Sequence, residues 1–277
     1  MDNRKKDYCN NCGNFGHTYG NCRHPILSYG VILYNYDKEG EPSIVLVERK
    51  DSLSYIEFLR GKYKSIYDTE YIKLLFSRFS KKELDSINKY DFDTLWKNLW
   101  IHTETINPRI KREYKKSKVD FNKLKEGYKK DGIIINIEYL VNNVKKPYLL
   151  NEWEVPKGRR KMHENNRACA LREFYEETNV EPSLFKLYKN IIPIVEEYIG
   201  INQVRYKHVY YIGNIPGRCD LVINKENKDQ YTEIKDIKWC SEEESLEKIR
   251  DYDVNKKKVI TNFFEYLRNH KNVVTLE

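Results

Sequence analysis

The spacing of apolar and polar positions changes several times along the chain. Two apolar, β-branched runs, YGVILYNY (29–36) and SIVLVER (43–49), flank the turn-rich connector DKEGEP and predict a β-hairpin. From residue 51 the apolar spacing becomes helical in LSYIEFLRGKY, YIKLLFSRF and FDTLWKNLW, and a lysine-rich segment follows. The change of period predicts an α/β core that an all-helical insertion at 51–130 interrupts.

Strand character returns after the insertion. Apolar runs predict strands in GIIINIEYLV, YLLNEWEV, NIIPIVEEYI, YKHVYYIGNI and YTEIKDIKW. A helix is predicted from Asn165 with Ala168, Leu171 and Tyr175 on its buried face, and VNKKKVITNFFEYLRNH predicts a closing helix. We therefore divide the chain into a small segment at 1–24, a core at 25–50 and 131–255, the insertion at 51–130, and a C-terminal helix and tail at 256–277.

Composition restricts the class of protein. The chain has 277 residues, of which 33% are charged, and a net charge of +8. This excess of positive charge suits a polyanionic partner such as nucleic acid or a phosphorylated metabolite. No N-terminal signal pattern and no apolar run of about 18–20 residues is present, so a cytoplasmic protein without a membrane partner is expected. The sequence indicates no obligate protein partner and leaves the oligomeric state open.

The N-terminal stretch CNNCGNFGHTYGNC has the spacing C-x2-C-x4-H-x4-C. Its four potential metal ligands are Cys9, Cys12, His17 and Cys22. Thiolate and imidazole groups in such a set suit a tetrahedral, structural Zn²⁺. The stretch resembles the retroviral-type zinc knuckle, and that resemblance implies binding of single-stranded RNA or DNA, with Phe15 and Tyr19 at its aromatic positions. A purely structural or protein-docking knuckle is the alternative.

The positive charge is concentrated in residues 109–130, which contain ten lysines and arginines against three acidic residues. Apolar residues at helical spacing predict a face that packs on the core: Ile110, Tyr114, Phe121, Leu124 and Tyr128. Lys111, Lys115 and Lys118 share another face of the same helix. This basic face is either a solvated surface or a track for a phosphate backbone.

Acidic residues crowd into GRRKMHENNRACALREFYEETNV (158–180). Glu173, Glu176 and Glu177 fall on one helical turn and repel one another. A hard divalent cation such as Mg²⁺ or Mn²⁺ relieves that repulsion, because these ions take oxygen ligands and keep waters for substrate phosphates. Arg172 and Glu164 are expected to pair and hold the start of the helix, which is a structural role.

The segment has the spacing G-x5-E-x7-R-E-U-x-E-E-x-G-U, where U is a bulky apolar residue. This spacing resembles the signature of the Nudix hydrolases. It runs from Gly158 to Val180 and is matched at every place except the last glycine, which is Asn179. The resemblance implies an α/β/α sandwich with a mixed sheet. It also implies that the three glutamates bind Mg²⁺ or Mn²⁺, helped by the backbone near Gly158, with Glu177 as first choice for activating water and Glu176 beside it.

We call the signature segment at 158–180 the Nudix box. Residues outside this box are assigned by the same resemblance. Glu233 in QYTEIKDIKW precedes a pattern similar to that of the mRNA-decapping Nudix enzymes, which makes it a candidate metal ligand or general base; Glu196 and Glu197 are weaker rivals. Basic residues in PKGRRK can hold substrate phosphates by charge-assisted hydrogen bonds. These residues are Lys157, Arg159 and Arg160.

The arrangement of core and insertion over residues 28–250 resembles the Nudix decapping enzymes of large DNA viruses, namely the poxvirus pair and their giant-virus relatives, mimivirus included. The resemblance implies hydrolysis of the mRNA 5′ cap, releasing m7GDP and 5′-monophosphate RNA. It implies capped mRNA as the partner and action in the host cytoplasm, a viral factory or the virion. Tyr55 and Phe58 are candidates for stacking on the methylated base, with core packing as the alternative.

Two other functions stay open. A diphosphoinositol polyphosphate or nucleoside diphosphate hydrolase would use the same basic surface for a small, highly charged substrate. An RNA-binding adaptor would keep the Nudix fold as a scaffold, but the complete set of glutamates argues against it, because a scaffold gains nothing from their repulsion.

Overall fold

The computed structural model describes residues 7–100 and 108–270. The chain folds into two compact units. One unit contains the described residues up to Glu48 and from Trp153 onward, and the other is Arg49–Glu152. The ends of the predicted 1–24 and 256–277 segments, residues 1–6 and 271–277, lie outside the described residues.

The predicted hairpin is present at the start of the first unit. β1 (Ile26–Tyr36) and β2 (Pro42–Arg49) pair antiparallel, with Tyr34 opposite Ile44. β1 is buried along most of its length because its apolar side chains alternate between two cores, as expected for a strand with helices on both faces of its sheet.

The second unit is mainly helical. Its elements are α1 (Leu53–Leu59), α2 (Thr69–Ser77), α3 (Lys81–Lys89), α4 (Phe92–Leu99), α5 (Pro108–Glu126), β3 (Tyr128–Lys130), β4 (Ile133–Ile135) and α6 (Ile137–Asn142). The sequence pattern did not predict α3, whose residues are mostly polar. This helix starts at a capping box, in which the Ser80 side chain accepts from the Glu83 backbone and the Glu83 side chain accepts from the Ser80 backbone.

The prediction of one strand in GIIINIEYLV was wrong in its second half. Only Ile133–Ile135 is a strand, and a helix begins at Ile137. The side chain of Asn136 accepts the N–H of Tyr139 at 2.7 Å, so this residue caps the helix and ends the strand. Residues 131–152, which the sequence pattern placed with the core, group with the helical unit in the structure.

The first unit continues with the rest of its sheet and with further helices. These elements are β5 (Trp153–Glu154), β6 (Lys157–Gly158), α7 (Asn166–Thr178), β7 (Lys186–Leu187), β8 (Ile194–Ile199), β9 (Arg205–Asn214), α8 (Lys228–Glu233), β10 (Ile234–Cys240), α9 (Glu242–Lys248) and α10 (Val254–Asn269). The sheet order is β10-β2-β1-β9-β7, with β5 beside β2, β6 beside β1 and β8 beside β9. β1 is parallel to β9 and antiparallel to β2, so the sheet is mixed, as predicted.

Helices cover both faces of this sheet. Tyr29, Val31 and Leu33 of β1 pack in one core with α7, and Ile32 and Tyr34 pack in the other with α10. The predicted α/β/α sandwich is therefore confirmed. Within the described ranges, every helix is too short or too polar to cross a membrane.

The buried face of α7 differs from the predicted one. Ala168, Leu171 and Tyr175 are only partly buried, whereas Ala170 and Phe174 are fully buried against the sheet. The segment is helical as predicted, but the prediction of which face is buried was wrong. A helix with few apolar residues does not specify one buried face, so the face that meets the sheet depends on how the helix is docked.

Charged side chains are buried between the sheet and α10. The Glu154 carboxylate accepts from Lys157 Nζ at 2.6 Å and lies 3.5 Å from Lys256 Nζ. Beside them, His208 Nδ1 is 2.8 Å from Glu196 Oε2. Burial lowers the pKa of His208 below its ordinary 6.5, although Glu196 opposes that shift. The imidazole is therefore neutral at pH 7 and donates to the carboxylate.

We expect stability to fall below pH 6.5 because of His208. Its pKa is lower in the folded protein than the unfolded value of 6.5, so the unfolded chain binds more protons between the two values. Its contribution is present above pH 6.5 and is lost as the pH falls through the folded pKa. His208→Asn keeps an N–H donor for Glu196 but does not titrate, so urea unfolding of this variant is expected to depend less on pH. Parallel curves for H208N and wild type, with His270→Asn as control, would contradict this role.

Candidate active site

The loop and helix between Gly158 and Asn179 hold the crowded glutamates. α7 is capped by Asn165, whose Oδ1 accepts the N–H of Ala168 at 2.9 Å. The helix ends at Asn179, which has φ 57° and ψ 19°. Asparagine enters this left-handed region more easily than most non-glycine residues, so the departure from the Nudix pattern preserves the turn of the backbone, as predicted.

Glu173, Glu176 and Glu177 lie on one turn of α7, which we call the glutamate turn. Arg172 supplies the positive charge that offsets their negative charges. Its Nη1 donates to Glu173 Oε1 and to Glu176 Oε2, both at 2.7 Å. Its Nε and Nη2 donate to the two carboxylate oxygens of Glu164, both at 2.7 Å. Nη2 also donates to the carbonyl oxygen of Arg159 at 2.9 Å. One guanidinium therefore offsets the repulsion between carboxylates and ties the helix to the preceding loop.

Glu173 lies directly against the backbone of Gly158. A Cβ atom at Gly158 would overlap with the Glu173 carboxylate. The sequence places a glycine here because no other residue lets a side chain approach the backbone so closely.

Glu177 is the most buried of the three glutamates, with 5% of its surface exposed. Its Oε2 accepts the backbone N–H of Lys157 at 3.1 Å. Its own carbonyl oxygen accepts from Gln230 Nε2 at 3.2 Å. Gln230 lies on α8, the helix that ends at Glu233, so this bond brings the end of α8 toward the glutamate turn.

The carboxylates influence one another electrostatically. Burial raises the pKa of Glu173 above its ordinary 4.5; Arg172 lowers it, and the charges of Glu176 and Glu233 raise it further. Glu233, which is exposed, is therefore within electrostatic reach of the turn. A group of carboxylates that repel one another fits Mg²⁺ or Mn²⁺, because these ions prefer oxygen ligands and their positive charge offsets the repulsion.

The basic residues around the turn have different environments. Lys161 Nζ lies 2.8 Å from Glu176 Oε1, a contact that the sequence pattern did not predict although the residue ends the basic run PKGRRK. Lys157 directs its ammonium group to the buried Glu154, and Arg159 is exposed.

The prediction that Arg160 binds substrate phosphates is not supported. This side chain is buried, with 8% exposed, and its Nη2 donates to the carbonyl oxygen of Asn11 at 2.5 Å. Its Nη1 donates to Asn166 Oδ1 at 3.2 Å. The guanidinium is thus used inside the protein, because the folded N-terminal segment covers it.

Tyr55 and Phe58 are likewise corrected. Both are buried in the core of the helical unit, where Tyr55 packs edge-on against Phe79 with ring centroids 5.3 Å apart and Phe58 against Phe76 at 4.9 Å. Both side chains are buried and packed against other rings, so core packing accounts for them and stacking on a cap base does not.

The predicted knuckle ligands come together. The ligand atoms of Cys9, Cys12, His17 and Cys22 all lie within 4.8 Å of one another. Gly13 and Gly16 have φ values of 80° and 95°, which allow the chain to turn tightly between ligands. Burial raises the pKa of the Cys22 thiol, but hydrogen bonds from Asn11 and His17 outweigh it and lower that pKa to about 6. A set of three sulfurs and one imidazole nitrogen can hold a metal ion.

The basic helix α5 packs as predicted at its C-terminal half. Phe121 and Leu124 are buried in the helical unit, while Lys111 and Lys115 are exposed. Lys118, predicted on the same face, pairs with Asp93 at 2.6 Å. The basic face is therefore open along its first half.

We expect Gly158→Ala to weaken binding of Mn²⁺ about tenfold, because the added methyl group displaces the Glu173 carboxylate from the turn. An electron paramagnetic resonance titration of Mn²⁺ measures this effect. Gly217→Ala is the control, since a Cβ atom there meets open space. Unchanged Mn²⁺ affinity in G158A would show that the position of Glu173 does not matter for the cation.

Comparisons with known proteins place these observations in a family. The model of the NUDIX domain matches residues 139–263. The mRNA-decapping protein g5R of African swine fever virus (isolate Pig/Kenya/KEN-50/1950) is 24% identical over 229 residues, covering 82% of this chain and 89% of its own. Among solved structures, a binary complex of the Ap4A hydrolase of C. elegans is similar, with a TM-score of 0.44 and 12% identity over 88% of this chain and 98% of that one.

A protein of Acanthamoeba polyphaga mimivirus, which its name assigns to mRNA decapping, aligns over almost the full length of both chains. It is 30% identical over an alignment of 353 positions, covering 96% of this chain and 96% of its own. Since the relative spans the glutamate turn and both units, the chain belongs to the Nudix hydrolases and is a Nudix pyrophosphohydrolase.

Proposed function

We propose that this protein removes the 5′ cap of mRNA in a reaction that depends on Mg²⁺ or Mn²⁺. Water attacks a phosphorus of the triphosphate bridge, and the P–O bond to the methylated guanosine diphosphate breaks, releasing m7GDP and 5′-monophosphate RNA. The observation that carries the proposal is the turn of α7 that holds Glu173, Glu176 and Glu177, where Arg172 pairs with the first two and the Lys157 N–H with the third. The decapping names of the viral relatives support the choice of substrate.

In this proposal the cation is held by Glu173, Glu176, Glu177 and Glu233. When bound, it offsets charge on a phosphoryl oxygen and lowers the pKa of a coordinated water. Glu177 is the first choice for accepting the proton of the attacking water, because its buried carboxylate is fixed by the Lys157 N–H. Glu233 is the second choice, because it is exposed within reach of Glu173. Glu176 adds charge beside them.

Basic residues of the same loop are assigned to the phosphates of the substrate. Arg159 is exposed directly after Gly158, so its guanidinium can donate two hydrogen bonds to a phosphate. Lys157 contributes from beside Glu154. Arg160 is left out of this set because it is buried on Asn11.

Two surfaces are assigned to the body of the RNA. In the knuckle, which we propose holds structural Zn²⁺, Phe15 has 63% of its surface exposed, and its ring packs edge-on against Tyr8 with centroids 5.2 Å apart. Residues 159–165, between β6 and α7, form what we call the box loop. The ring of Tyr8 packs on that of His163 in this loop, with centroids 4.4 Å apart. In this proposal bases stack on these rings, which run from the knuckle to the loop that precedes α7. The exposed lysines of α5 are the second surface.

A small polyanionic substrate is the alternative that the basic loop also favours, since Arg159 and Lys157 would serve an inositol or nucleoside diphosphate equally well. Because the named relatives come from large DNA viruses, we place the decapping reaction in the host cytoplasm or a viral factory.

Incubation of cap-labelled RNA with the purified protein and Mn²⁺ or Mg²⁺ tests the function. Parallel reactions contain free cap analogue and inositol pyrophosphate. Release of m7GDP from long RNA with little release from free cap is expected. Turnover of the small substrates alone would replace decapping by metabolite hydrolysis, and RNA binding without any turnover would leave the adaptor.

Glu177→Gln is expected to lower kcat by about a hundredfold or more while RNA affinity stays unchanged, because the amide neither accepts the proton of water nor supplies a charged ligand. Single-turnover decapping and a filter-binding titration measure the two quantities. Glu181→Gln, an exposed glutamate just beyond the box, is the matched control. Full activity of E177Q would move the general base to Glu233.

Phe15→Ala is expected to raise KM for long capped RNA about tenfold and to leave kcat unchanged, since the loss of one base stack weakens binding and does not touch the glutamate turn. Steady-state decapping on RNAs of two lengths measures this. Ile192→Ala, with 88% exposed, is the control for removal of a surface apolar group. Equal KM values for F15A and wild type would remove the knuckle from the RNA-binding surface.

A further inference from the structure

The N-terminal knuckle is docked on the box loop through Arg160. The guanidinium is buried and donates to the carbonyl oxygen of Asn11 at 2.5 Å and to Asn166 at 3.2 Å. It also lies 5.6 Å from the ring centroid of Tyr29 in β1. Among the described residues, Nη2 is paired only by the knuckle carbonyl, and the buried Nε has no hydrogen-bond partner, so loss of the knuckle contact would leave a second buried donor of this guanidinium unpaired.

The carbonyl that receives Arg160 is held firmly within the knuckle. Asn11, which is buried, donates from Nδ2 to Cys22 Sγ at 3.2 Å and to the carbonyl oxygen of Pro25 at 2.9 Å. Its Oδ1 accepts the N–H of Leu27 at 2.9 Å. The same residue thus joins one metal-ligand candidate, the start of β1 and the box loop.

A second contact lies beside the first. The backbone of Gly13 packs so closely on Arg160 that a Cβ atom there would collide with Nη1. The ring of Tyr8 packs on His163, whose φ of 59° is uncommon for a residue with a side chain. The loop therefore takes an uncommon backbone conformation where it meets the knuckle.

The neighbours of Arg160 on both sides reach the glutamate turn. The carbonyl oxygen of Arg159 accepts from Arg172 at 2.9 Å, and Lys161 Nζ pairs with Glu176 at 2.8 Å. The Lys161 N–H donates to Glu164 Oε2 at 2.9 Å. A displacement of Arg160 therefore shifts the groups that neutralise and orient the carboxylates.

We propose that Arg160 is a positioning residue through which the knuckle holds the box loop in the geometry that the cation and the reaction require. The knuckle is then part of the catalytic architecture, in addition to any contact with RNA. The inference concerns the Nudix reaction itself and does not depend on which diphosphate is cleaved.

Two glycines of the knuckle provide a matched pair of variants. Gly13 and Gly16 both have positive φ, so replacement by alanine strains both backbones similarly. A Cβ atom at Gly13 meets Arg160, whereas one at Gly16 meets open space. We expect Gly13→Ala to weaken Mn²⁺ affinity, measured by electron paramagnetic resonance, about tenfold relative to Gly16→Ala. At saturating capped RNA, kcat of G13A is expected to fall by a similar factor, with KM unchanged.

Arg160→Ala is the second variant, because it leaves the knuckle backbone intact. Zinc content and the thermal midpoint show whether each variant is folded, and Mn²⁺ binding is measured well below that midpoint. Weakened Mn²⁺ affinity in both R160A and G13A, with G16A like wild type, supports the inference. Unchanged Mn²⁺ affinity in R160A overturns it, whatever happens to stability. Since Mn²⁺ affinity needs no substrate, a failure of decapping in wild type would leave this test readable.

Discussion

Three carboxylates share one turn of α7, and their mutual repulsion is the constraint around which the site is organised. In the described chain this repulsion is offset by Arg172, which contacts Glu164, Glu173 and Glu176 together. A surface ion pair contributes little to stability, but a half-buried guanidinium shared by several carboxylates fixes their geometry. Gly158, the close approach of Glu173 and the left-handed end at Asn179 all serve to place this turn against the sheet.

The sheet connects the turn to a second charged layer. Lys157 uses its backbone N–H for Glu177 on one side and its ammonium for Glu154 on the other. Glu154, Lys157 and Lys256 are buried on the side of the sheet that α10 covers. This burial is tolerated because the Glu154 carboxylate pairs with both ammonium groups. The strand just before the box thus joins the glutamate turn and a buried ionic cluster across the thickness of the sheet.

The N-terminal knuckle contacts the loop that leads into α7. Its contacts with Arg160 and His163 place a small, metal-capable segment beside the loop that carries the counter-charges. A segment of this size has too little apolar surface to fold by burial alone, so in our proposal the metal ion held by its Cys and His side chains stabilises its fold. The loop therefore has a rigid neighbour only when the knuckle is formed.

The sequence by itself determined the class of the fold and which residues are brought together in the glutamate turn and in the knuckle. These are local patterns: the spacing of the glutamates, the glycine, the arginine and the four Cys and His residues that could bind a metal ion. Helical periodicity and short loops bring such residues together without help from distant segments. The hairpin, α7 and α10 were predictable for the same reason.

Tertiary structure alone decided which side chains are covered. Arg160, in a basic run, looks like a phosphate ligand until the knuckle buries it, and Tyr55 and Phe58 look like base-stacking groups until other rings surround them. The buried face of α7, the cap at Asn136 that turns a strand into a helix, and the approach of Glu233 to Glu173 also depend on docking. Burial is a property of segments far apart in the chain, and a local pattern specifies only what a side chain can do once its neighbours are known.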